Sequence, residues 1–290
     1  MFRSTRRADC IERTFMLDAI GIDSALHLDG AFFLLTVDSA DAQRALEQLA
    51  QYELERQPFP PAPAPLPSFP HAWIGCAIYA AVLITIAWVV ANGLWRLDAF
   101  RVGELDAERI QAGQWWRAWT ALTLHLDGEH LSANLVAGIW FGYLASRQLG
   151  AGHAWFLTVT GAVGANLLES LLGPASHRAV GASTAVFTSL GILCAYVWRM
   201  RARWTQRWAL QWAPLVGGLM LLAWTGSGGD DNSGQVDIVA HALGFVAGLL
   251  LGVMAAHPWA QRLLPRLPQW VTGLAALAQI VVAWGFALGS

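Results

Sequence analysis

Charged residues are scarce in this chain. They make up 13% of its 290 residues, whereas 56% of the residues are hydrophobic. Soluble domains carry roughly a quarter charged residues, so this composition excludes an ordinary soluble protein and indicates a membrane protein. The formal net charge of -2 points to no particular partner, because the sign of the charge changes from region to region.

Cysteine is almost absent as well. The three cysteines, Cys10, Cys76 and Cys194, are too few and too scattered for a disulfide framework or a zinc site.

The first 70 residues also lack a long apolar core, so we expect no cleavable signal peptide. We expect no cofactor and no metal ion.

Apolar stretches of membrane-spanning length are abundant. A helix needs about twenty residues to cross a bilayer. Seven stretches meet this need, at residues 72–93, 128–148, 153–173, 181–200, 208–225, 236–256 and 269–288. The second and the fifth are the least distinct. The sequence therefore predicts an all-α polytopic membrane domain over residues 71–290.

A small soluble module is predicted before this domain, over residues 1–57. Its patterns predict a helix, a pair of strands turning at Asp29-Gly30, and a charged amphipathic helix, at residues 8–20, 25–37 and 40–56. Residues 58–70 contain seven prolines and are predicted to form a semi-rigid linker. We interpret the module as α+β, with a regulatory or spacer role.

The basic residues predict the orientation in the membrane. Arginines cluster between the fourth and fifth stretches and between the sixth and seventh, at Arg199, Arg201, Arg203, Arg207, Arg262 and Arg266. The loop between the fifth and sixth stretches has no positive charge. The positive-inside rule then places the amino-terminal module in the cytoplasm and the carboxyl terminus outside. Arginines in the first loop, on the outer side, depart from this pattern.

Three polar side chains lie at similar depth in three different stretches. The second, fourth and sixth stretches run in the same direction, so their amino-terminal ends share one membrane face. Each of His130, Ser183 and His241 lies within about six residues of such an end. At a rise of 1.5 Å per residue, the three side chains agree in depth to within roughly 5 Å. Polar residues at membrane depth are costly and indicate function by default.

These side chains have the chemistry of acyl transfer. Ser183 is a nucleophile and His241 a base that activates it. No acidic residue is placed to orient the histidine, so we interpret the pair as a dyad. His130 and Asn134 lie four residues apart on one helix face, where both can donate to an oxyanion together with the Ser183 N–H group. The prediction is peptide-bond hydrolysis within a membrane.

The pattern also predicts how the sixth stretch approaches the fourth. Small residues recur at every fourth position of the sixth stretch: Ala240, Gly244, Gly248 and Gly252. Such a stripe lets two helix backbones come close together. Phe187, one turn after Ser183, is expected to pack on the imidazole ring of His241.

Other polar residues have structural interpretations. A metal site among His125, Asp127, Glu129 and His130 is not favoured, because the His-Glu-x-x-His arrangement of zinc proteases is absent. His125 is expected to be a structural bonding partner for the first loop. Trp116 and Arg117 are expected to anchor that loop. Asn166 and Glu169 are expected to pack and hydrogen-bond within the bundle.

At these residues the chain resembles the rhomboid family of intramembrane serine proteases, over about residues 72–256. The matching motifs are Trp116-Arg117, His125, His130-Leu-Ser-Ala-Asn134, Gly181-Ala-Ser183 and Ala240-His241-Ala-Leu-Gly244. The resemblance implies a six-helix catalytic core, with Ser183 as nucleophile, His241 as base, and His130 and Asn134 in the oxyanion hole. It implies supporting roles for Gly181, Phe187, Gly244 and His125. The seventh stretch resembles the extra carboxyl-terminal helix of some members.

Two residues depart from the family pattern. Glycine usually follows the nucleophile, and this chain has Thr184, whose bulk is expected to narrow the site or alter substrate preference. The position of Phe187 is often tyrosine, so the stacking face is kept and a hydroxyl is lost.

The resemblance also implies partners and a location. We expect single-pass transmembrane proteins as substrates, cut near the outer face of a bacterial plasma membrane, and no nucleic acid. The alternative is a catalytically inactive rhomboid-like adaptor or chaperone that binds transmembrane helices. A transporter or channel predicts internal repeats and charged pathway residues, which the sequence lacks.

Overall fold

The computed structural model describes residues 2–55, 68–94, 98–202, 207–226 and 237–290. The chain divides into two compact units, Met1–Pro63 and Ala64–Ser290. Most of the described residues are helical. The predicted proline-rich linker, apart from residues 68–70, lies outside the described residues.

The first unit combines two helices with a small sheet. Its elements are β1 (Phe2–Ser4), α1 (Arg7–Ala19), β2 (Ser24–Asp29), β3 (Phe32–Val37) and α2 (Ala42–Glu55). The sheet is antiparallel in the order β1-β3-β2, and α1 and α2 contribute Leu17 and Ala45 to the core beneath it. The predicted helices and hairpin are present. Strand β1 was missed, because three residues are too few to display an alternating pattern.

The second unit is built from long helices joined by short ones. Its helices are α3 (Trp73–Ala91), α4 (Ala99–Gly103), α5 (Ala107–Gln111), α6 (Arg117–Thr120), α7 (Gly128–Leu149), α8 (Ala151–Leu172), α9 (Ser183–Arg201), α10 (Trp208–Gly226), α11 (Ile238–Ala255), α12 (Pro258–Leu263) and α13 (Gln269–Gly289). Two antiparallel pairs of residues form β4 (Leu105–Asp106) and β5 (Arg178–Ala179). Each predicted apolar stretch coincides with a long helix.

Four of the described helices are long and apolar enough to cross a membrane: α3, α8, α11 and α13. Helix α10 is apolar over a shorter length. Helix α9 does not meet this standard, although the sequence singled out only the second and fifth stretches as indistinct. The reason is its position. All of its residues from Thr184 to Ile192 are buried, so its surface contacts protein and tolerates threonine and serine.

Helix α9 lies at the centre of the second unit. Helices α7, α8, α10 and α11 pack around it, and α11 makes the most extensive contact. A Cβ atom added to Gly244 would lie 2.6 Å from the Thr184 carbonyl oxygen, and one added to Gly252 would lie 2.5 Å from that of Ile192. Gly248 meets α9 in the same way. The predicted close approach of the sixth and fourth stretches is confirmed.

The long first loop is an ordered structure. The buried guanidinium of Arg117 donates to the carbonyl oxygens of Arg101, at 2.7 Å, and Glu104, at 2.9 Å. The Asn166 amide of α8 donates to the Ala118 carbonyl at 2.9 Å. These bonds confirm that Arg117 anchors the loop and that Asn166 hydrogen-bonds within the bundle. Because β4 pairs with β5, the loop is also joined to the segment that leads into α9.

Candidate active site

A sharp turn precedes Ser183, the first residue of α9. The Gly181 N–H donates to the Ala121 carbonyl at 2.9 Å, and the Ala182 N–H donates to His125 Nε2 at 3.3 Å. The N–H groups of the first helical turn have no partner within their helix. The half-buried Ser183 therefore presents its hydroxyl and its own N–H group at the same helix end, where the helix dipole favours negative charge.

Gly181 brings this turn against His130. Its φ of 132° is a left-handed conformation that residues with a side chain rarely adopt. A Cβ atom there would lie 2.7 Å from His130 Nε2 and 3.8 Å from Ser183 Oγ. The imidazole of His130 and the hydroxyl of Ser183 thus flank one point of the backbone. Glycine is the residue that fits.

His241 lies beside the first turns of α9. Its side chain is buried, and its ring packs on Phe187 with the centroids 4.5 Å apart and the planes tilted by 37°. The expected contact between Phe187 and His241 is confirmed. Since Phe187 follows Ser183 by one turn, and Gly244 brings α11 against Thr184, the structure places His241 at the same end of α9 as Ser183.

Asn134 is buried one turn after His130 on α7. Its side-chain amide donates to the His130 backbone carbonyl at 3.0 Å, and the backbone carbonyl of Asn134 accepts from the Tyr79 hydroxyl at 2.9 Å. Within the described part of the chain, one N–H of the amide has no partner. Among the described residues, the hydrogen bonds of Asn134 link it to His130 and Tyr79 and do not include Ser183.

His125 supports the turn before Ser183. Its ring centroid lies 5.1 Å from that of His130. Burial, with a smaller contribution from the nearby His130, lowers the pKa of His125 from 6.5 to about 4, so the ring is neutral at pH 7 and its Nε2 can accept the Ala182 N–H. The bond to Ala182 adds a partner outside the first loop, which the sequence indicated as the partner of His125. A backbone donor so far along the chain has no sequence signal.

Asp127, near His130, has a structural role. Asp127 accepts the His130 N–H at 2.7 Å and so caps α7. Among the described residues, the group with metal-ligand geometry lies elsewhere and consists of Glu169, His177 and Asp237. Sequence reasoning missed it, because its members come from three separate elements and show no ligand spacing.

Thr184 packs between the helices. Its Cγ2 methyl lies 3.1 Å from the position that a Cβ atom would take on Gly244, and its carbonyl accepts from the Thr188 hydroxyl at 2.8 Å. The Thr184 side chain, which stands where the family usually has glycine, therefore occupies the space that Gly244 leaves on α11.

Comparison with known proteins gives consistent matches. A sequence profile of the rhomboid domain matches residues 112–258. The chain is 31% identical over 153 residues to RHOMBOID-like protein 1 of Arabidopsis thaliana, which covers 52% of this chain and 38% of that protein. It is 28% identical over 127 residues to rhomboid protease GluP of Bacillus subtilis, covering 44% and 24%.

A third relative is Rhomboid-like protease 1 of Toxoplasma gondii, 29% identical over 164 residues, which covers 52% of this chain and 54% of that protein. The chain thus spans between 24% and 54% of the length of these three relatives. The matched region contains the turn at Gly181, the helix that Ser183 begins and the buried His241. The profile covers half of the chain, and the chain therefore belongs to the rhomboid family.

Proposed function

We propose that this protein is an intramembrane serine endopeptidase that cleaves transmembrane-helix substrates through a Ser183–His241 dyad. The observation that carries the proposal is the convergence at the amino-terminal end of α9. Ser183 begins that helix, His130 lies against the turn before it, and His241 packs on Phe187 one turn later. Names of the relatives GluP and Rhomboid-like protease 1 describe proteases.

In the first half of the reaction, His241 removes the proton of the Ser183 hydroxyl as Oγ attacks the carbonyl carbon of the scissile bond. A tetrahedral intermediate forms with a negative oxygen. His241 then gives its proton to the departing amine, and the bond between carbon and nitrogen breaks. In the second half, water repeats the sequence against the acyl-enzyme and restores the Ser183 hydroxyl.

The negative oxygen needs donors that are already in place. We assign this role to the Ser183 N–H, the His130 ring and the remaining Asn134 amide N–H. Removal of one such donor costs about 100- to 1,000-fold in kcat in a well-studied hydrolase. The ring of His125 has a positioning role, because it holds the Ala182 N–H next to the nucleophile.

The dyad operates within the membrane in this proposal. The seven long helices α3, α7, α8, α9, α10, α11 and α13 span it, with the first unit in the cytoplasm and the carboxyl terminus outside. Substrates are single-pass membrane proteins cut near the outer face. Because a helical backbone is fully hydrogen-bonded, cleavage requires local unwinding, and we expect helix-weakening residues near the cut.

The test uses a fluorophosphonate probe, which labels an activated serine covalently, together with cleavage of a model transmembrane substrate. Wild type should be labelled and should cleave. Ser183→Ala should do neither, and His241→Ala should lose most of both. Ser189→Ala is the matched control, because Ser189 is a buried serine of the same helix with no hydrogen-bond partner among the described residues, and it should behave as wild type.

The alternative function is an inactive adaptor or chaperone for membrane helices. It predicts that wild type and Ser183→Ala bind a model helix equally and that neither is labelled. Labelling that persists in Ser183→Ala, or that is lost in Ser189→Ala, would contradict the assignment of the nucleophile.

A further inference from the structure

A second cluster of chemically active side chains lies where three elements of the second unit meet. Glu169 belongs to the last turn of α8, His177 precedes β5, and Asp237 precedes α11. One ligand-type atom from each lies within 4.8 Å of the others. None of the three takes part in the proposed chemistry at Ser183.

The side chains of this cluster lie close together, and His177 and Asp237 form an ion pair. His177 Nε2 lies 3.0 Å from Asp237 Oδ2 and 3.6 Å from Glu169 Oε1. The side chain of Glu169 is 3% exposed, and its Oε2 oxygen has no hydrogen-bond partner among the described residues. Buried polar groups without partners are costly and require an explanation.

These distances also fit a bound cation. Zinc binds histidine nitrogen and carboxylate oxygen at about 2.0–2.2 Å, usually with tetrahedral geometry, which places neighbouring ligand atoms about 3.4 Å apart. The observed separations of 3.0 and 3.6 Å lie on either side of that value. Imidazole favours zinc over magnesium and calcium, which prefer sets of oxygen ligands.

The surroundings provide an entry path. The side chains of His177 and Asp237 are 22% and 21% exposed, whereas Glu169 lies beneath them. An ion can therefore reach the cluster from the His177 side, and water can complete its coordination as a fourth ligand.

We propose that Glu169, His177 and Asp237 form a zinc-binding site, which departs from the sequence-based expectation of no metal. The ion would join the end of α8, the segment before β5 and the start of α11. Asp237 already holds that start, because its carboxylate accepts the Ala240 N–H at 3.0 Å and its carbonyl accepts the His241 N–H at 3.1 Å. Zinc would therefore fix the helix end that carries His241.

The experiment measures zinc binding by the purified full chain in detergent, in a Ser183→Ala background, so that its outcome is independent of the proposed peptidase activity. Elemental analysis after equilibration with zinc and removal of the excess should find about one zinc per chain. X-ray absorption should show nitrogen and oxygen neighbours at about 2.0–2.2 Å and no sulfur, which excludes the cysteines as ligands.

Three variants test the ligands. Glu169→Gln, His177→Gln and Asp237→Asn should each weaken zinc affinity by more than about 10-fold, the smaller effect known for residues that only support a metal ligand. Asparagine keeps the helix cap of α11. The control is His257→Gln, which replaces an exposed histidine of the same unit and should retain wild-type affinity.

Zinc measurements on the wild-type chain can overturn the proposal even if a variant fails to fold. Wild-type chain that retains no zinc, or zinc with sulfur neighbours, shows that the cluster is an ion-pair network and not a metal site. Equal affinity in the His177→Gln and His257→Gln variants leads to the same conclusion.

Discussion

Replacement of Gly248 by alanine tests the contact between α9 and α11 with a single methyl group. Gly248 lies in the middle of the stripe of α11 that faces α9. A Cβ atom there would overlap the Thr188 carbonyl oxygen and lie 2.9 Å from the Ile192 nitrogen, and both atoms belong to backbone. Backbone cannot rotate away as a flexible side chain can, so the two helices must separate.

The magnitude follows from two opposing effects. Alanine is favoured over glycine in a helix by about 0.5–1 kcal/mol. Overpacking a well-packed interface costs about 1–3 kcal/mol. The difference of these effects for Gly248→Ala runs from about 0 to 2.5 kcal/mol and centres on a loss of about 1 kcal/mol, which corresponds to a Tm lower by roughly 2–4 °C for a unit of this size.

The assay is thermal unfolding of the detergent-solubilised chain, compared with Gly164→Ala. Gly164 lies in α8, and a Cβ atom there meets nothing within 4 Å, so this variant should be neutral or slightly more stable than wild type. The two substitutions are chemically identical, and the Tm of Gly248→Ala should be the lower of the two. If both variants have the same Tm, the close approach of α9 and α11 does not govern stability, and the reasoning fails.

Three further predictions concern the surroundings of the site. Burial lowers the pKa of His125 to about 4, so between that pH and about 6.5 only the unfolded chain binds the proton. The contribution of His125 to stability should therefore be fully present above pH 6.5 and should decrease towards pH 4. Thermal unfolding of His125→Asn should show a smaller decrease over this range, and an equal decrease would contradict the assignment. Arg117→Ala leaves two carbonyl groups without their donor, and each lost donor should destabilise the fold by about 1–3 kcal/mol. Its Tm should therefore lie well below that of Arg262→Ala, which replaces an exposed arginine. Equal Tm values would refute the anchoring role. Asp127→Ala removes the cap of α7 and should lower the free energy of unfolding, measured with a chemical denaturant, by about 1 kcal/mol. Asp127→Asn should keep most of that stabilisation. An equal loss of stability with asparagine would show that charge matters more than capping.

The helices were predictable because they depend on local pattern. Each long helix of the second unit coincides with an apolar stretch, and Gly244 and Gly248 indicated the contacting face of α11 through their spacing alone. The hydropathy of α9 was the exception. A helix surrounded by other helices contacts little lipid, and its composition then follows packing needs that no single stretch of sequence displays.

The residues that meet at the start of α9 were predictable, whereas the contacts that support them were less so. Ser183, His130 and His241 stand out because polar groups at membrane depth are rare. The bond from Ala182 to His125 and the cluster around His177 depend on contacts between distant parts of the chain, so only the folded structure displays them. The packing of Thr184 into the space at Gly244 is of the same kind.

The bend at Gly181 has a consequence for genetic screens. The residue carries no reactive group, yet its φ of 132° and the nearness of His130 Nε2 leave no room for any side chain. A selection for loss of the proposed peptidase activity should therefore recover many different substitutions at this codon, as often as at the codons for Ser183 and His241. Such mutants would retain Ser183, His130 and His241 but would have lost the alignment of these side chains.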